Sequence, residues 1–171
     1  MVTKNMEMAI NQQLNDEFFS SYLYLSMAAY FESVGLMGFA NWMHIQAKEE
    51  NMHAMKFYKY ISERGGRIKL HQIEAPKTDW ESPADVFNEV IEHEKKITKS
   101  INELINLALD EKDHATNIFL QWFITEQIEE EANVNDVINQ LKLMANAPGG
   151  LFIIDRELAQ RVFVPPVDAK A

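Results

Sequence analysis

Glycine and proline are scarce in this chain and clustered, and their spacing constrains the fold more than any other feature. Six glycines and five prolines serve 171 residues, and they gather near four places, leaving long stretches without a strong helix breaker. The first predicted helix runs from about Thr3 to Glu32, stopping before Val34-Gly35, and the second from about Gly38 to Arg64, stopping at Gly65-Gly66. A third starts where Ser82 can cap and Pro83 can occupy the first helical position, and runs to about Lys112. Asp113 caps a fourth that continues to about Asn146, where Ala147-Pro148-Gly149-Gly150 breaks it. Leu151 to Arg161 reads as a short fifth helix before a Pro165-Pro166 tail.

Link lengths then set the topology. Short links make neighbouring helices antiparallel, whereas Arg67 to Glu81 can span roughly 50 Å when extended, enough to cross a whole bundle. A loop of that length normally argues against an assignment, but a bundle with one long crossover requires it. The expectation is all-α: a four-helix bundle running up, down, down, up, with the crossover between helices two and three. Residues 1–146 form the bundle, and 147–171 add the short helix and tail within the same domain.

Each long helix carries an apolar stripe at spacing three and four, and polar residues interrupt it. The first row is Ile10, Leu14, Glu17, Ser21, Tyr24 and Ala28; the second is Phe39, Met43, Gln46, Glu50, His53, Phe57 and Tyr60. In the third, Glu94 sits among Phe87, Val90, Ile91, Ile97, Ile101 and Leu104, and in the fourth Gln127 and Glu130 lie among Leu120, Phe123, Val134, Val137 and Leu141. The interruptions fall about 11 to 16 residues from a helix start, so at roughly 1.5 Å per residue they share one level near mid-bundle. Four carboxylates in a dry interior repel one another and are costly to desolvate, and these rows contain no lysine or arginine to neutralise them.

The chain has no cysteine, which excludes disulfides, thiolate metal sites and cysteine nucleophiles and leaves carboxylate and imidazole as ligands. Four carboxylates with one imidazole suit a pair of first-row divalent ions such as iron or manganese. The competing structural reading has the acids protonated or turned out to water. A net charge of −10 argues against a nucleic-acid partner and suits cations. No stretch is apolar enough for a signal peptide or membrane span, so a soluble, cytoplasmic protein with no membrane partner is expected. Glu111 and His114 repeat the spacing of Glu50 and His53 but straddle the turn between helices three and four. Trp122 and the nine methionines read as core or interface packing, and His44, His71 and His93 lie off the rows.

The stretches NQQLNDEFFSSYLYLSMAAYF, ANWMHIQAKEENMHAMKFY, EHEK and FLQWFITEQIEEEANV resemble, in order and spacing, the ligand-bearing helices of prokaryotic non-haem ferritins. The resemblance extends over essentially the whole chain and implies a ferritin-like bundle that oxidises ferrous iron with dioxygen or peroxide and stores the ferric product in a shell of 24 subunits. It implies that Glu17 and His53 bind one iron, Glu50 bridges, Glu94 and Glu130 bind a second, and Gln127 stands behind them. Tyr24 would hydrogen-bond near the bridge and supply an electron; Glu49, Glu126 and Glu129 match a third iron site, with a solvated acidic face as the ordinary alternative. Where haem-bearing ferritins place a methionine after the bridging glutamate, this chain has Asn51, with Met52 one position later, so no haem is expected. The fourth helix has Gln127 and Glu130 where many di-iron oxygenases repeat Glu-x-x-His. A di-iron oxidase or peroxidase without storage is the runner-up, and a non-catalytic helical interaction bundle the third alternative.

Overall fold

Thr3, Ser82 and Asp113 each sit just outside a helix with a side-chain oxygen turned back onto it, accepting from the N–H of Met6, Asp85 and Thr116 at 3.1 Å in every case. Such caps satisfy donors that the first turn leaves free. In a computed structural model, which describes residues 2–165, these starts open three of five helices: α1 Lys4–Ser33, α2 Met37–Glu63, α3 Pro83–Asp110, α4 His114–Met144 and α5 Gly150–Leu158. Pro166 and the remainder of the expected tail lie outside the described residues. The long link between α2 and α3 contains no helix or strand.

Cross-helix hydrogen bonds fix the directions. From α1 to α3, Tyr24 meets Glu94, Ser20 meets His93 and Gln13 meets Ser100, so the two run antiparallel. From α2 to α4, Gln46 meets Glu130 and Tyr60 meets Thr116, again antiparallel. The three-residue link after α1 turns α2 back beside it, which leaves α2 and α3 parallel and the bundle up, down, down, up.

Helix ends differ from expectation by a few residues. At the end of α3, Lys112 takes a left-handed backbone, φ 56°, and the Asp113 N–H donates to the Ala108 carbonyl at 2.8 Å, closing the helix two residues before the expected Lys112. At the start of α2, Leu36 offers no side-chain cap; Asp155 of α5 does so instead, its Oδ1 accepting from the N–H groups of Gly38 (2.7 Å) and Phe39 (3.1 Å). Gly38 is required by this approach, since a Cβ there would lie 1.6 Å from the Asp155 carbonyl oxygen. The fifth helix ends at Leu158, short of the expected Arg161, because Asn41 captures the Leu158 and Arg161 carbonyls at 3.1 and 3.0 Å.

The core is divided. One apolar cluster contains Leu23, Met27, Phe31, Phe39, Phe87 and Val134; the other contains Ile10, Leu14, Phe57, Ile97, Ile101 and Phe123. Along every long helix the polar interruption falls where one cluster gives way to the other, so Glu17, Glu50, His53, Glu94, Gln127 and Glu130 form a buried layer between two hydrophobic halves. No helix among the described residues is long and apolar enough to cross a membrane.

Candidate metal centre

The polar layer is built from side chains one helical turn apart. On α1, Gln13 Nε2 donates to Glu17 Oε1 at 2.9 Å, and Ser100 Oγ of α3 donates to Gln13 Oε1 at 2.5 Å, which orients the amide. On α2, His53 Nδ1 lies 3.3 Å from Glu50 Oε2. Glu17, Glu50 and His53 each place one potential ligand atom within 4.8 Å of the others'. Glu17 Oε2 and Glu50 Oε1 are buried and have no protein hydrogen-bond partner.

The other side of the layer is better satisfied. Glu94 accepts from the Tyr24 hydroxyl and from Gln127 Nε2 (3.1 Å), and Gln127 also touches the Glu94 carbonyl at 3.3 Å and Thr98 Oγ1 at 3.2 Å. Glu130 accepts from the amide of Gln46. Burial, reinforced by the Glu94 and Glu130 charges, pushes the Glu50 carboxyl well above the usual range; burial and the Glu50 charge do the same to Glu17. Burial raises Glu94 against the donors Tyr24 and Gln127, and burial with the Glu94 and Glu49 charges lifts Glu130 to about 8. The Tyr24 phenol is pushed well up by burial and by Glu94.

Glu17 and Glu50 each keep one buried oxygen without a partner beside the His53 imidazole cluster, and Glu94 and Glu130 add two further buried acids to the same layer. Hard oxygen and borderline nitrogen donors without sulfur fit first-row divalent ions such as iron or manganese. A cation among them reverses the desolvation and repulsion that hold these carboxyls up.

Glu49, Glu126 and Glu129 do not join this cluster. They line, with Glu130, Asn133 and Arg161, a wider cavity of about 330 Å³ on the neighbouring face. Burial raises the carboxyls of Glu49 and Glu126.

Sequence reasoning assigned no role to Gln13, Ser100 or Arg161 and left Gln46 as a row member. Gln13 and Gln46 stand one turn before Glu17 and Glu50, a readable signal; Arg161 lies beyond every stripe. Trp122 is half-buried rather than core: its ring meets His53 edge-on at 5.4 Å, and Lys56 Nζ lies 4.0 Å from the ring centroid. His93 pairs with Ser20 at 2.8 Å, and burial lowers it to about 4; His44 pairs with Glu32 at 2.8 Å. Glu111 follows the end of α3 and accepts from Thr3 Oγ1 at 2.5 Å, while His114 opens α4.

Residues 7–144 match the family model of the ferritin-like domain. The chain belongs to the ferritin family. The bacterial non-heme ferritin of Bacteroides fragilis strain 638R is 43% identical over 161 residues, covering 94% of this chain and all of the relative. That of Staphylococcus aureus strain MRSA252 is 38% identical over 163 residues, covering 95% of this chain and 98% of the relative. Among solved structures, the open-pore ferritin of the hyperthermophilic archaeon Archaeoglobus fulgidus is 49% identical, superposes with a TM-score of 0.93, and is covered in full by 95% of this chain. The ferritin fold therefore extends through the crossover and α5.

Proposed function

We propose that this ferritin takes up ferrous iron as substrate at the buried polar layer, oxidises it with dioxygen or peroxide, and passes the ferric product to storage in a cage of its own copies. Glu17, Glu50 and His53, each bringing one ligand atom within 4.8 Å of the others', with one buried oxygen of Glu17 and one of Glu50 left without a partner, carry the reading. Glu17 and His53 hold one ion, Glu50 lies between, and Glu94 and Glu130 hold the second. Gln127 and Gln46 orient Glu94 and Glu130 by donating to them. Two divalent charges balance four carboxylates, and the anionic surroundings favour the higher oxidation state. Each ferrous ion loses one electron to the oxidant. The Tyr24 hydroxyl, held against Glu94, stands where a further electron can be supplied.

Glu49, Glu126 and Glu129 supply a third, more open iron position between this layer and the surface. With Asn51 directly after Glu50, where the resemblance puts a methionine in haem-bearing ferritins, no haem is included in this reading. Exposed Ile118, Ile128, Leu143, Val162 and Val164 support burial against further subunits, in an assembly of 24 that works in the cytoplasm. The anchoring of α5 to α2 through Asp155 and Asn41 supports reading residues 1–146 and 147–171 as one domain.

Aerobic addition of ferrous iron to the purified protein, followed by ferric absorbance and iron counting, tests the reading. Glu50→Ala and His53→Ala are expected to slow rapid oxidation by about 10- to 100-fold or more. Wild-type rates in both variants refute the assignment. Iron far above two per subunit means storage, whereas fast oxidation that stops near two means an oxidase without storage.

A further inference from the structure

Arg161 stands three residues beyond the end of α5, and its guanidinium is held on several sides. Nη1 donates to Gln46 Oε1 at 2.7 Å and to the Trp42 carbonyl at 3.4 Å, and Nη2 donates to Glu49 Oε2 at 2.7 Å. Its Cζ lies 4.5 Å from the Trp42 ring centroid, a cation–π contact. The Gln46 amide is thereby oriented, its oxygen toward Arg161 and its nitrogen toward Glu130. Among the described residues that line the cavity of about 330 Å³ with Glu49, Glu126, Glu129 and Glu130, Arg161 is the one cationic side chain, and it pairs with Glu49, while Lys56 acts on Glu126 from outside the lining.

We propose that Arg161 is the chain's own counter-cation for this cavity, occupying Glu49 until a metal ion arrives and competing with that ion for the carboxylate. The inference rests on the reading of Glu49, Glu126 and Glu129 as a third cation position. A guanidinium does not lose its proton in proteins, so Arg161 yields to an incoming ion by moving and not by titrating. Like charge raises the cost of entry, and the fixed fork on Gln46 and Glu49 keeps that charge in place. Arg161 is thus a positioning residue that sets how readily the outer acids fill, and through them how strongly iron is drawn toward the inner layer.

The test uses the assembled protein and redox-inert Zn²⁺, read by calorimetry and by counting metal per subunit, so that iron oxidation does not enter. Arg161→Met keeps length and removes charge; Arg161→Lys keeps charge but loses the fork; Glu49→Gln removes the contested carboxylate. A third ion is expected to bind on the order of tenfold tighter in Arg161→Met than in wild type. Arg161→Lys should fall between them, and Glu49→Gln should lose the third ion in either background. A purely structural role for Arg161 would weaken binding or leave it unchanged, so equal or weaker third-ion affinity in both Arg161 variants overturns the competition. Uptake of only two ions by wild type and variants alike removes the third position itself, and the competition with it.

Discussion

Glu130 shows what burial does to one carboxyl. With its usual value near 4.5 lifted to about 8 by burial and by the charges of Glu94 and Glu49, the folded chain binds a proton that the unfolded chain releases. Stability from this group is full below pH 4.5 and falls as pH rises through 8. Glu17, Glu50 and Glu94 are raised likewise. His93, lowered to about 4 from 6.5, acts oppositely, adding stability as pH rises between those values. The metal-free protein should therefore lose resistance to denaturant from about pH 6.5 to 8, and added Zn²⁺ should abolish that loss; a flat profile without metal would contradict the raised carboxyls. That Glu17, Glu50, His53, Glu94 and Glu130 face inward was legible in the sequence, because each breaks an apolar row at helical spacing. Arg161 was not, because its reach depends on where α5 docks, which no periodicity encodes.

At the level of elements, two backbone positions work against their residues or depend wholly on them. Lys112 holds a left-handed conformation that glycine adopts without the Cβ penalty. Lys112→Gly should stabilise the α3–α4 turn by about 0.5–1 kcal/mol in chemical denaturation, and a loss of stability would mean the lysine side chain makes a compensating contribution. Gly38→Ala should do the reverse, because its Cβ collides with the Asp155 carbonyl and forces α5 away from α2. Losing the Asp155 cap alone costs about 0.5–2 kcal/mol, and limited proteolysis should then cut near α5. Helix starts were readable to within a residue where Thr3, Ser82 and Asp113 cap locally. The start of α2, expected near Gly38 and found at Met37, was equally close although it has no local cap; its cap comes from Asp155, far along the chain.

For the molecule as a whole, the crossover and the divided core belong together. A link long enough to span the bundle lets α2 and α3 run parallel, and because each polar interruption lies near the middle of its helix, the four long helices place theirs in one layer between the two clusters. The directions of the four long helices were legible from link lengths, but the separation of the core into two clusters became evident only with neighbours in place. Twenty-four copies of a 19.8 kDa chain amount to roughly 475 kDa. Light scattering should find a particle near that mass with or without iron, and a persistent monomer or dimer would exclude the cage.

The cap that Asp155 places on α2 also has a consequence for birth order. Gly38 and the aspartate that completes its helix are 117 residues apart, so at about 5–20 residues per second a ribosome makes them roughly 6 to 23 s apart. Throughout that interval the nascent α1–α2 hairpin lacks this cap, and α5, made after α2, α3 and α4, is the helix that finishes the second.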